Sequence, residues 1–210
     1  MPTYLSLDLD FFNAAGAGVE PTFCNLVESN LEKVGKFAKK HGIPVTAVMN
    51  HQQMLRFVDE SGCDTLLNVD THSDLAEKDV GEFSCGTWVS FVKWRSKGRF
   101  VWHHGFSSWH GDCSGHFNLF GAAKSPQYRA EESGWKAVEH VRSKAMPRLT
   151  NDITHIGVCL SPSYVDFVDL SYDMMMSWCR KYSVRYVRGR RDEHFSVPRK
   201  PKADRYEEEV

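Results

Sequence analysis

Six side chains of the metal-ligating kind stand at short, regular spacings just past apolar runs. Asp8 and Asp10 lie in Ser6-Leu7-Asp8-Leu9-Asp10, and His51 closes Val48-Met49-Asn50-His51. Asp70, His72 and Asp74 alternate in Asp70-Thr71-His72-Ser73-Asp74. Near the end of a strand, residues two apart can face the same pocket, so each motif can deliver its side chains together. Oxygen-rich ligation with some imidazole and no thiolate favours Mn(II), with Fe(II), Co(II) or Zn(II) as alternatives. Six such groups suffice for two ions that share bridging carboxylates, and paired ions activate water for hydrolysis. The pattern predicts a binuclear metal-dependent hydrolase.

The elements that carry these residues are legible as alternating strands and helices. Residues 3–10 read as a buried strand ending in acid, and 45–50 and 65–69 as two more apolar strands. Between the first two, Val27, Leu31, Val34 and Ala38 fall on one face of a helix over 26–40, with Lys39 and Lys40 at its negative end and Gly42 just beyond. A short helix is expected over 51–59 and another over 87–96, ended by Gly98. Further strands fit 99–102, 155–160 and 186–187. Ser161-Pro162 resembles an N-cap with proline at the first helical position, opening a helix over 163–181. This alternation predicts an α/β fold: a mostly parallel sheet in three α/β/α layers. Ligands of such sheets bind beyond the carboxyl ends of the strands, where all six candidate ligands fall.

Composition bounds the rest. A chain of 210 residues, 41% hydrophobic and 25% charged, fits one domain, here expected over 1–187 with a charged tail over 188–210. The net charge of -1 gives no general attraction to nucleic acid or anionic membrane. No apolar run is long enough to span a bilayer, and Met1-Pro2-Thr3-Tyr4 leads directly into a strand pattern, so a cytoplasmic protein is expected. The six cysteines are scattered without a C-x-x-C pair and read as reduced thiols. Residues 105–133 read as a long irregular stretch, of the kind that tends to be functional or disordered. Its His110, Asp112, Cys113 and His116 lack a standard zinc spacing, and Trp109, Phe117 and Phe120 could contact a peptide or cover the core. The basic run Arg188-Gly189-Arg190-Arg191 reads as a solvated segment, with binding of a leader sequence as the alternative.

These motifs resemble the arginase and deacetylase fold, and specifically its ureohydrolase branch. That family carries an aspartate-x-histidine-x-aspartate motif, matched by Asp70, His72 and Asp74, and a serine-x-aspartate-x-aspartate motif, matched by Ser6, Asp8 and Asp10. One further strand-end histidine is matched by His51. The serine-aspartate motif opens this chain instead of standing late in it, which resembles the divergent, permuted arginase-like proteins that include peptide arginases. The resemblance implies that Asp8 and Asp70 bridge two Mn(II) ions, with His51 and Asp74 completing one and His72 and Asp10 the other. It implies hydrolysis of an arginine guanidinium, within a peptide, to ornithine and urea. The deacetylase branch, with a single zinc, fits less of the acidic set, and a degenerate member that binds arginine-rich peptide without turnover is the third reading.

Two positions depart from the family pattern. Phe11-Phe12-Asn13 follows the serine-aspartate motif where aspartate-proline is usual, and Cys85, before Gly86, stands where many ureohydrolases place a catalytic histidine. A proton shuttle is then expected from His103 or His104, which end the strand over 99–102, since imidazole suits that role near neutral pH. Glu82, close to the motif in sequence, is the candidate to grip the guanidinium.

Overall fold

The apolar runs assemble into one parallel sheet. The computed structural model describes residues 1–13, 20–75, 83–105 and 134–188. Its strands are β1 (Thr3–Asp8), β2 (Val45–Val48), β3 (Thr65–Val69), β4 (Arg99–His104), β5 (Ala137–Arg142), β6 (Ile153–Cys159) and β7 (Arg185–Val187). They pair in the order β5-β4-β3-β1-β6-β2-β7, and every pairing is parallel. β1 lies in the middle, with Leu7 level with Val69 of β3 and Asp8 level with Cys159 of β6. The chain leaves β1 toward β2, then returns to β3 on its other side, so the strand order reverses around β1. Sheets of this kind bind ligands at such a reversal.

Helices cover both faces, giving three α/β/α layers. On one face, α1 (Glu20–His41) and α3 (Val168–Tyr182) pack against each other and against the sheet. Phe23, Val27, Leu31, Val34 and Ala38 of α1 bury one stripe, and Met175, Trp178 and Cys179 of α3 another, over Leu5 and Leu7 of β1. On the other face, α2 (Met54–Glu60) and the turn at Trp88 cover Tyr4, Leu66, Phe100 and Trp102. A Cβ at Gly157 of β6 would collide with the Met54 sulfur and the Tyr4 hydroxyl, so glycine there lets α2 sit close over the sheet. Among the described residues, no helix is long and apolar enough to cross a membrane.

Three expectations change. The helix over 87–96 is a short 3-10 turn, Trp88–Phe91. The donors that a helix would use are taken elsewhere: Val89 N–H goes to Asp74 O and Lys93 N–H to Asp59 Oδ1. The last helix begins at Val168 instead of 163. Ser161 adopts a left-handed backbone (φ 49°), and its hydroxyl bonds Asp8 instead of capping a helix. β5 was not expected from the sequence. Its Glu139, His140 and Arg142 are polar and its side chains largely exposed, so it carries little apolar periodicity. Glu82, the loop over 106–133 and the tail beyond Arg188 lie outside the described residues.

Candidate metal centre

Each ligand motif is held by a local turn that the sequence explains. At the end of β1, Asp8 Oδ1 accepts the Asp10 N–H (3.0 Å), and the chain enters a 3-10 turn, Leu9–Phe12, whose four residues are all buried. After β2, Gln53 Oε1 accepts the N–H groups of Met49 (3.1 Å) and Asn50 (2.8 Å), which fixes His51 at the start of the next turn. After β3, the Asp70 N–H prolongs the ladder to His103 O, while Asp70 Oδ1 accepts the His72 N–H at 2.8 Å. Asp74 closes this loop with φ 54°, a left-handed conformation that aspartate tolerates better than most residues.

The turns bring all six side chains to the carboxyl edge of β1, β2 and β3, and five of them are buried to 5% exposure or less. His51 Nδ1 lies 3.0 Å from Asp8 Oδ2, 3.0 Å from Asp70 Oδ2 and 2.8 Å from Asp74 Oδ2. His72 Nδ1 lies 3.1 Å from Asp10 Oδ2 and 3.7 Å from Asp70 Oδ1. Two groups of potential ligands result, Asp8-His51-Asp70 and Asp10-Asp70-His72, each with its ligand atoms within 4.8 Å of one another. Asp70 belongs to both, one oxygen toward each histidine.

The geometry around His51 fits a cation better than a hydrogen bond. Three carboxylate oxygens surround Nδ1, yet none is aligned to hydrogen-bond it. The other ring nitrogen, Nε2, sits 2.7 Å from Ser6 Oγ, on the same face of β1 as Asp8. An Nε2–H donated to this hydroxyl leaves the Nδ1 lone pair directed among the carboxylates, the arrangement by which outer partners orient a ligating imidazole. Hard oxygens and imidazole nitrogens, converging without thiolate, are the donor set of a divalent transition metal.

Electrostatics point the same way. Burial and the adjacent Asp70 charge push the Asp74 carboxyl up to about 8, and burial with the Asp8 and Asp70 charges holds Asp10 well above the usual range. Burial opposes ionisation of Asp70 as well, but the two imidazoles facing its oxygens outweigh it and hold its carboxyl well below the usual range. Burial also disfavours charge on the rings; the surrounding carboxylates nevertheless hold His51 well above its ordinary value and push His72 up to about 12. Carboxylates crowded this closely need positive charge among them to stay ionised.

The other expected residues have partners of their own. Cys85 is half-buried, its Sγ 3.9 Å from the Tyr164 hydroxyl. His103 Nε2 donates to Ala145 O at 2.8 Å. The His104 ring lies against Trp102 and His140, with Nδ1 3.0 Å from Gly105 O and Nε2 in contact with His140 Nε2. Glu82 lies outside the described residues.

Several supporting side chains were not assigned from the sequence. Ser6 holds His51; Ser161 bonds Asp8 Oδ2; Trp88 Nε1 donates to Asp74 Oδ2 at 2.6 Å; and Asn68 Nδ2 reaches Asp70 Oδ2 at 3.3 Å. Ser6 and Asn68 carried a signal, each standing two residues before an aspartate ligand on one face of a strand.

A parallel α/β sheet with two buried Asp/His clusters able to hold divalent metal ions is consistent with an arginase/ureohydrolase-like superfamily. Comparison of the chain with protein-family models, with curated proteins and with solved structures finds no match.

Proposed function

We propose that the chain is a binuclear, Mn(II)-dependent hydrolase that converts arginine side chains, within a peptide, to ornithine and urea. The observation that carries this reading is Asp70, whose two oxygens face the two ligand groups separately, so that one carboxylate could serve both. Asp8 is the second bridging candidate, His51 and Asp74 would complete one position, and His72 and Asp10 the other. Bound there, a metal pair supplies a water molecule acidified to near-neutral pKa. The remaining work falls to the chain. Its four buried carboxylates would offset the charge of two divalent ions, so that a guanidinium cation is not repelled from the loaded site. Ser6, Ser161 and Trp88 hold the ligands in place, so little reorganisation is needed when substrate arrives. A proton must reach the departing amine, and His103, His104 and Cys85 are the proposed sources. Glu82 is the proposed guanidinium partner. Water and an arginine side chain enter; urea and ornithine leave.

The test is mass spectrometry of arginine-containing peptides incubated with protein and Mn(II), alongside a urea assay. Conversion of arginine to ornithine with equimolar urea is the expected result, abolished in Asp8→Ala. Turnover of acetyl-lysine with zinc, and none of arginine, would replace this reading with deacetylation. Two bound metals with no turnover of either would leave a binding protein.

A further inference from the structure

Tyr164 stands beside the metal-binding clusters with 49% of its surface open. Its ring lies against that of His72, centroids 5.1 Å apart and planes at 58°, and its hydroxyl faces Cys85. The backbone that carries it is tied to the end of β1. Tyr164 N–H donates to Ser161 O at 2.9 Å, and Ser161 itself bonds Asp8. Asn13, just past the turn that carries Asp10, donates from Nδ2 to Tyr164 O at 2.6 Å and accepts the Asp166 N–H at 3.0 Å. An aromatic ring is thus held at a fixed place against a ligand imidazole while much of it stays in solvent. Burial on folding does not account for it, because among the described residues Tyr164 is the most exposed of the phenylalanine, tyrosine and tryptophan side chains. The ring is open to solvent beside a ligand imidazole, and a guanidinium stacks on aromatic faces.

We propose that Tyr164 is a substrate-positioning residue, its open ring stacking on the guanidinium of the arginine side chain. This rests on the arginine reading above. The work is done by the ring and not by the hydroxyl, which separates this role from proton donation. The experiment is steady-state urea release from the arginine-containing peptides that the Mn(II)-loaded wild type turns over, with Tyr164→Leu, Tyr164→Phe and Tyr164→Trp measured alongside. Tyr164→Leu should raise KM about 3- to 30-fold with kcat nearly unchanged. Tyr164→Phe and Tyr164→Trp should keep KM near wild type, which a merely structural role for tyrosine would not predict. Metal content of each variant should stay at the wild-type level. An active enzyme whose KM is unmoved in Tyr164→Leu overturns this inference alone, as does a Tyr164→Phe variant that loses kcat at constant KM. A wild type that loads Mn(II) yet releases no urea overturns the arginine reading, and this inference with it.

Discussion

Two sets of histidines stand along the same edge of the sheet and meet opposite surroundings. His51 and His72, after β2 and β3, face carboxylates, which hold the first well above its ordinary value and push the second up to about 12. His103, His104 and His140, on β4 and β5, are pushed down, His104 to about 4, first by burial. The polar partners of this second set include the carbonyls of Ala145 and Gly105 and, for His104 and His140, one another, with the Arg142 charge lowering both further. Residue type and sheet edge are the same, so the difference lies in the neighbours. An imidazole among carboxylates shares a cation with them; an imidazole among carbonyls stays neutral and acts through hydrogen bonds. The first set fits metal ligation and the second fits proton handling or structure.

The largest effect expected from this contrast is at Asp70. Asp70→Asn removes a charge common to both ligand groups and should cost both ions and all urea release, measured by metal analysis after Mn(II) loading and desalting. His104→Gln, on the same edge, should keep the full metal content. A variant at Asp70 that retains both ions would break the comparison. Thermal stability sharpens it. Mn(II) at a hundred times its Kd stabilises the folded chain by about 2.7 kcal/mol, a rise in Tm of about 5–10 °C for a chain of this length. The rise should vanish in Asp70→Asn and persist in His104→Gln. Smaller again is Ser6→Ala, which unpins His51 Nε2 and should weaken Mn(II) binding about 10- to 100-fold without unfolding the protein. An unchanged affinity there would mean that β1 and β2 alone fix the ring.

His51 and His72, like His103 and His104, were legible in the sequence and His140 was not, which follows from spacing. Asp8 and Asp10, and Asp70, His72 and Asp74, alternate at strand ends, so their convergence is written in the chain's own periodicity. His51 needed only the strand before it. The parallel sheet was equally legible, because strands β1, β2, β3, β4 and β6 are apolar runs. What escaped depends on pairing and on tertiary capture of backbone donors. His140 became a neighbour of His104 only through β5, a polar strand without a readable pattern. Ser161 has the local sequence of a helix cap, but its hydroxyl bonds Asp8, 153 residues away. The segment around Trp88 lost its helix to bonds with Asp74 and Asp59, which no local window contains.

The smallest effect tests the neutral set directly. His104 Nδ1 lies against a carbonyl, which can only accept, so that nitrogen carries the proton and Nε2 is left to accept from His140 Nε2–H. Protonating His104 would place two N–H donors face to face. An unfolded imidazole takes up its proton near pH 6.5, whereas folded His104 resists until about 4. Over that interval the unfolded chain holds more protons than the folded one, so stability falls as pH drops from about 6.5 toward 4 and levels off below. His104→Gln removes this contribution. In metal-free samples, where the carboxylate contributions are common to both proteins, the wild type should lose more Tm than His104→Gln between pH 7 and pH 5. The excess is small, roughly 2 °C, because the pair is partly open to solvent. Parallel melting curves for the two proteins would mean that His104 takes up its proton as freely folded as unfolded, and the contrast between the two sets of histidines would then rest on the carboxylates alone.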